Sequence, residues 1–144
     1  MPDRTLKDIV GDRKLVQASP EASVRDACAR MQERHVTAVL IVGKAGVEGI
    51  FTKRDLLRRV IVAGIDPEST PVADVMTPAP FMMDASRSGF EAVRLMREEK
   101  TRHIVVSGLD GGAYGVISLR DILGRELATF ERELDFEKKI WEEI

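Results

Sequence analysis

The sequence predicts an α+β fold in which two β-α-β-β-α units stand in tandem and are followed by a C-terminal helix. Three observations predict it. Four segments recur in the same order, each copy carries one apolar stripe at helical spacing, and short apolar runs around glycine turns follow each stripe.

LKDIV (6–10) returns as VADVM (72–76), and SVRDACARM (23–31) as SGFEAVRLM (88–96). TAVLIV (37–42) returns as RHIVVS (102–107), and GIFTKRD (49–55) as GVISLRD (115–121). The offset is 66 for the outer pairs (6 to 72, 49 to 115) and 65 for the inner pairs (23 to 88, 37 to 102). The residue lost is regained in a Gly-rich turn, GKAGVEG (43–49) against GLDGGAYG (108–115), where added length is cheap.

Each element follows in order. LVQA (15–18) and FMM (81–83) read as short extended pieces after the lead-ins LKDIV and VADVM. Val24, Ala27, Cys28 and Met31, and in the second copy Gly89, Ala92, Val93 and Met96, lie at i, i+3, i+4 and i+7. That is the stripe of an amphipathic helix. AVLIV and HIVV read as buried strands, followed by a glycine turn, a second strand (GIF, GVI) and a second helix, DLLRRVIVAG (55–64) or DILGRELATF (121–130). ASPEAS (18–23) and TPAP (77–80) read as punctuation before each unit, and DPESTP (66–71) as the connection between them. The resulting division is unit one at 1–66, linker at 67–71, unit two at 72–128 and a C-terminal extension at 129–144. Sixty residues bury little apolar surface alone, so the two units are expected to pack together about a pseudo-twofold axis. From Leu123 onward, Leu127, Phe130, Leu134, Trp141 and Ile144 alternate by four and three, with Glu137 filling one slot. Such a heptad-like seam predicts helix pairing between chains, hence a homodimer, over a helix folded back on its own module.

Composition narrows the function. The chain of 144 residues is 44% hydrophobic and 32% charged with net charge −2, without the basic stripe that nucleic acid requires. One cysteine, Cys28, excludes an internal disulfide and fits a reducing compartment; it reads as an inert core thiol. The charged N-terminus lacks a signal-peptide core, and AVLIV (38–42) and VIVAGI (60–65) are too short to span a membrane. The acidic C-terminal extension argues against an anionic membrane surface. A cytoplasmic protein is expected. His35 and His103 are the only histidines, His35 reading as a helix-end surface residue, and no metal-ligand spacing appears. GKAG (43–46) lacks the pattern of a phosphate loop, and no nucleophile–base pairing supports an enzyme.

A hydroxyl residue followed three positions later by an acid occurs four times: Ser23/Asp26, Thr52/Asp55, Ser88/Glu91 and Ser118/Asp121. Alone, it marks a helix start through a capping box. Thr52 and Ser118 differ in context, because each follows a strand directly with glycine three residues before. A helix N-terminus there suits an anion, a carboxylate suits both hydroxyls of a ribose, and Lys53, Arg54 and Arg120 supply phosphate partners.

These residues carry a family resemblance. The lead-ins LKDIV and VADVMT, the helices ending at Met31 and Met96, the strands TAVLIV and RHIVV, and the two G-h-h-[ST]-x-x-D elements resemble a cystathionine β-synthase (CBS) domain pair across roughly residues 5–128. The resemblance implies a disc-like, stand-alone module that binds AMP, ADP or ATP, or else NAD or S-adenosylmethionine, in clefts between its units. It implies that the Asp of each motif holds the ribose, the hydroxyl assists, and apolar residues sandwich the adenine. The first site would use Val16, Ala18, Ala38, Thr52, Arg54 and Asp55. The second would use Phe81, Met83, Arg102, His103, Ile104, Ser118, Arg120 and Asp121. Met82 and Met83 stand open between adenine pocket and core. Arg102 occupies the strand start where the first copy has Thr37, so unequal sites are expected, with phosphate held near Arg102. The expected function is a regulatory nucleotide sensor in signal transduction, acting on an effector protein. The competing expectation is a ligand-independent scaffold working through dimerisation and the C-terminal helix.

Overall fold

The computed structural model of the chain describes residues 4–108 and 110–122. The C-terminal extension and its heptad-like seam lie outside the described residues, as does DILGRELATF beyond Ile122. In chain order the elements are α1 (Leu6–Val10), β1 (Gln17–Ala18), α2 (Val24–Arg34), β2 (Ala38–Gly43) and β3 (Gly46–Thr52). Then come α3 (Lys53–Asp55, continued by wider π turns over Leu56–Ile61), a 3-10 turn at Val72–Asp74, and β4 (Thr77–Pro78). The remainder is β5 (Met82–Asp84), α4 (Gly89–Glu99), β6 (His103–Ser107), β7 (Ala113–Ser118) and α5 (Leu119–Ile122).

The chain forms two compact units whose boundaries cross the repeat. A middle unit holds Lys14–Pro80, and a split unit joins the lead-in through Arg13 to the chain from Phe81 onward. The lead-in LKDIV therefore packs with the body of the second repeat, and VADVM with the body of the first. Repeat boundaries at 66 and 72 describe the sequence; contact boundaries fall at 13/14 and 80/81.

In the middle unit the sheet order is β1-β2-β3-β4. β1 and β2 are parallel, which demands a crossover, and α2 provides it. Val24, Ala27 and Met31 of α2 face Val39, Ile41 and Phe51, and Val60, Val72 and Val75 complete this core. Burying a side chain such as Phe51 contributes about 1.5–3 kcal/mol. Ala38, Leu40 and Ile50, which alternate with these strand residues, are buried too. TPAP is more than punctuation: Thr77 and Pro78 pair with Ile50 and Gly49 as an edge strand, a place that tolerates a residue without an N–H. The apolar run after α3 is split, with Val60 in the core while Leu57, Ile61 and Val62 stay at the surface, Ile61 62% and Val62 76% exposed.

In the split unit the order is β5-β6-β7, with β5 and β6 parallel around α4. Leu6, Ile9 and Val10 of α1 pack with Ala92, Val93 and Met96 of α4 and with Ile104, Val106 and Ile117 of the sheet. Both long helices end on a residue in the left-handed region, His35 and Lys100, each with φ 54°.

Candidate ligand sites

All four predicted hydroxyl–acid pairs cap helices. The hydroxyl takes the N–H of the acid in Ser23–Asp26 (3.0 Å), Thr52–Asp55 (3.3 Å), Ser88–Glu91 (3.1 Å) and Ser118–Asp121 (3.4 Å). A fifth pair, Thr5–Asp8, caps α1 in the same way and is missed by the repeat pattern. What separates the pairs is the rest of the carboxylate. Asp26 is exposed, and Glu91 spends its second oxygen on Arg87, four residues before it on the same stretch of chain. That contact holds the Glu91 carboxyl below the usual carboxylate range.

Asp55 and Asp121 instead reach far along the chain. In the middle unit, Asp55 Oδ2 accepts from the Thr52 N–H (3.0 Å) and the Thr52 hydroxyl (3.1 Å). Its Oδ1 accepts from the Thr77 hydroxyl of β4 at 3.0 Å and lies 3.6 Å from Arg59 Nε. Among the described residues Asp55 is the one buried polar or charged side chain, at 6% exposure. In the split unit, Asp121 Oδ2 accepts from the Ser118 N–H (2.7 Å) and hydroxyl (3.2 Å). Its Oδ1 pairs with Arg13, 108 residues away, at 3.0 Å.

The glycine that precedes each motif has a steric reason. A Cβ on Gly49 would stand 2.5 Å from Met76 Sδ and 2.7 Å from the Thr77 carbonyl oxygen. On Gly115 it would stand 2.8 Å from Val10 Cγ1. Both glycines let a lead-in approach the strand that ends in the motif.

The helix starts are less open to an anion than the sequence predicts. The N–H of Lys53 donates to the Thr37 carbonyl (3.1 Å) and that of Leu119 to the Arg102 carbonyl (2.9 Å). With the N–H groups of Thr52, Asp55, Ser118 and Asp121 bound inside the capping boxes, three donors at each junction are already used. Charge for a phosphate therefore rests on side chains, and Arg54, Arg102 and Arg120 are all exposed.

Sequence-predicted residues divide accordingly. Ala38 lies directly across from Thr52, and His103 directly across from Ser118, so each pair flanks its carboxylate. Val16 is half-buried against the core, and its carbonyl accepts from the Leu40 N–H at 3.0 Å. Ala18 is buried in the core, across from Ile41 and so three residues, about 10 Å, along the strand from Ala38. Ile104 is also core, and Met83 packs against it, which takes Met83 toward the core reading. Phe81 stays 40% exposed and Met82 42%. Thr77 and Arg13 are the residues sequence reasoning missed. The 66-residue offset sets Thr77 against Gly11, so the repeat itself hides both. Cys28 is half-buried, and its thiol is pushed up by burial, partly offset by Arg25.

The sequence profile of the CBS domain matches residues 6–62 and 72–127. The chain belongs to the CBS domain family. It is a CBS pair, and a CBS pair is a regulatory module. The CBS domain-containing protein CBSCBSPB2 of Arabidopsis thaliana is 36% identical over 121 residues, which cover 83% of this chain and 22% of that protein. The chain thus spans about a fifth of that relative's length. A protein with CBS domains from Burkholderia ambifaria has a TM-score of 0.78 at 28% identity, over 86% of this chain and 94% of that one. A CBS domain protein from Pyrobaculum aerophilum, complexed with AMP, has a TM-score of 0.78 at 21% identity, over 90% and 98%. Among the described residues of this CBS pair, no helix is long and apolar enough to cross a membrane.

Proposed function

We propose that this CBS pair is a non-catalytic sensor of adenine nucleotides, AMP, ADP or ATP, with NAD and S-adenosylmethionine as related candidates. Each unit offers one site, and its carboxylate, Asp55 or Asp121, holds the ribose diol. The observation that carries the reading is the buried Asp55. A capping box needs one carboxylate oxygen, yet this side chain is sunk to 6% exposure with its second oxygen turned to a rotatable hydroxyl, Thr77. A ribose can replace that hydroxyl like for like. The AMP-bound Pyrobaculum protein supports the reading to the extent that the same fold holds AMP there. Arg102, exposed just before β6, is assigned the phosphate in the split unit. The exposed Leu57, Ile61 and Val62 supply an apolar surface suited to a homodimer, and the signal passes to an effector protein.

One observation favours the scaffold reading: both carboxylates are fully hydrogen-bonded by the chain itself. Thermal melting against the five ligands separates the two. A ligand at ~100 times its Kd stabilises by about 2.7 kcal/mol, a rise of roughly 5–10 °C here. No rise with any ligand refutes the sensor. A rise that survives Asp55→Ala combined with Asp121→Ala refutes the sites.

A further inference from the structure

The two carboxylates are alike in their capping and unlike in what meets the remaining oxygen. In the middle unit it is a neutral hydroxyl, Thr77 Oγ1 at 3.0 Å. In the split unit it is the guanidinium of Arg13, and this side chain is held on three sides. Its Nε donates to the Val10 carbonyl (3.2 Å), one terminal nitrogen to the Ile9 carbonyl (3.1 Å), and the other to Asp121 Oδ1 (3.0 Å). The fork thus ties the C-terminal end of α1 to the carboxylate.

We propose that Arg13 makes the two sites differ in ligand preference, by competing with a ribose diol for Asp121. The inference rests on the nucleoside reading above and goes further, because it assigns a residue from the lead-in of the opposite repeat. A hydroxyl at Thr77 can rotate and bond the incoming ligand in turn. A guanidinium only donates, as a diol must, so the two contend for the same oxygen. Arg13 is 46% exposed at its side chain and Asp121 25%, which makes the ion pair worth up to about a fivefold effect on a competitor.

The test uses the full chain and two probes, adenosine and AMP, in an NMR titration. The amides of Ser118 and Thr52 each donate to their own carboxylate and so report each site separately. Arg13→Gln is expected to tighten adenosine at Ser118 by up to about fivefold and leave the Thr52 curve unchanged. An unchanged or weakened adenosine affinity at Ser118 overturns the competition. So does a loss confined to AMP, which would make Arg13 a phosphate contact instead. If Arg13→Gln fails to fold, Arg13→Lys carries the test. Its single ammonium cannot span both carbonyls and the carboxylate, so a smaller gain of the same sign is expected, and no gain overturns the proposal. Absence of any shift with either probe, in every variant and at both amides, refutes the nucleoside reading itself and the competition with it.

Discussion

Replacing Thr77 with valine isolates the bond that distinguishes Asp55 from an ordinary helix cap. Valine keeps the volume and the β-branching of an edge-strand residue and removes only the hydroxyl. Asp55 Oδ1 then loses its 3.0 Å donor inside a buried site. A hydrogen bond to a charged group contributes about 1.5–3 kcal/mol. Arg59 Nε, 3.6 Å away on a half-exposed side chain, can swing in and recover part of it, so the lower half applies, about 1.5–2 kcal/mol. For a chain of this size that lowers the Tm by about 3–8 °C. Thermal melting followed by circular dichroism, with urea titration as a second measure, reads the change. Thr77→Ser, which retains the hydroxyl, is expected to lose much less. In an Asp55→Asn background the Thr77→Val loss is expected to shrink, because the oxygen left bare is no longer charged. A Tm drop under about 2 °C, or an equal drop in both backgrounds, refutes the reasoning.

Gly49→Ala is expected to destabilise by about 1–3 kcal/mol in urea, since its Cβ meets the backbone carbonyl of Thr77 as well as Met76. The three atoms nearest a Cβ on Gly115 all belong to the Val10 side chain, so Val10→Ala is expected to absorb much of the Gly115→Ala defect in a double mutant. Lys100→Gly is expected to stabilise by about 0.5–1 kcal/mol, because Lys100 ends α4 at φ 54° where a Cβ is strained. Glu91 is held below the usual carboxylate range chiefly by its hydrogen bond from Arg87. A carboxylate whose folded pKa lies below its unfolded one stabilises above the unfolded value, and that stability fades as pH falls through the folded value. Arg87→Gln is therefore expected to lower the neutral plateau of the pH–stability curve slightly and to leave stability at the acid extreme unchanged, so that the acid limb becomes shallower in denaturant titrations across pH.

Much of the fold was legible because its signals are local. The stripes from Val24 and Gly89, the strand runs and the capping pairs each need fewer than a dozen residues, and each became the element it predicted. What stayed hidden depends on contacts far along the chain. A two-residue strand such as β1 shows no alternation, so nothing in LVQA said that Ala18 belongs to the core. The proline in TPAP read as a break because an edge strand cannot be told from a loop without its neighbour β3. The lead-ins hid most. Each was read with the repeat it precedes, but each packs on the body of the other, so the partners of Asp55 and Asp121 come from 22 and 108 residues away. The exchange also explains how two motifs of one pattern come to set their carboxylates in unlike surroundings. GIFTKRD and GVISLRD build the same carboxylate, and the residue at the end of the arriving lead-in decides what it faces: a neutral hydroxyl at Thr77, a cation at Arg13. The difference in what the two carboxylates face therefore comes from outside the motifs, from segments that also help to fill a core.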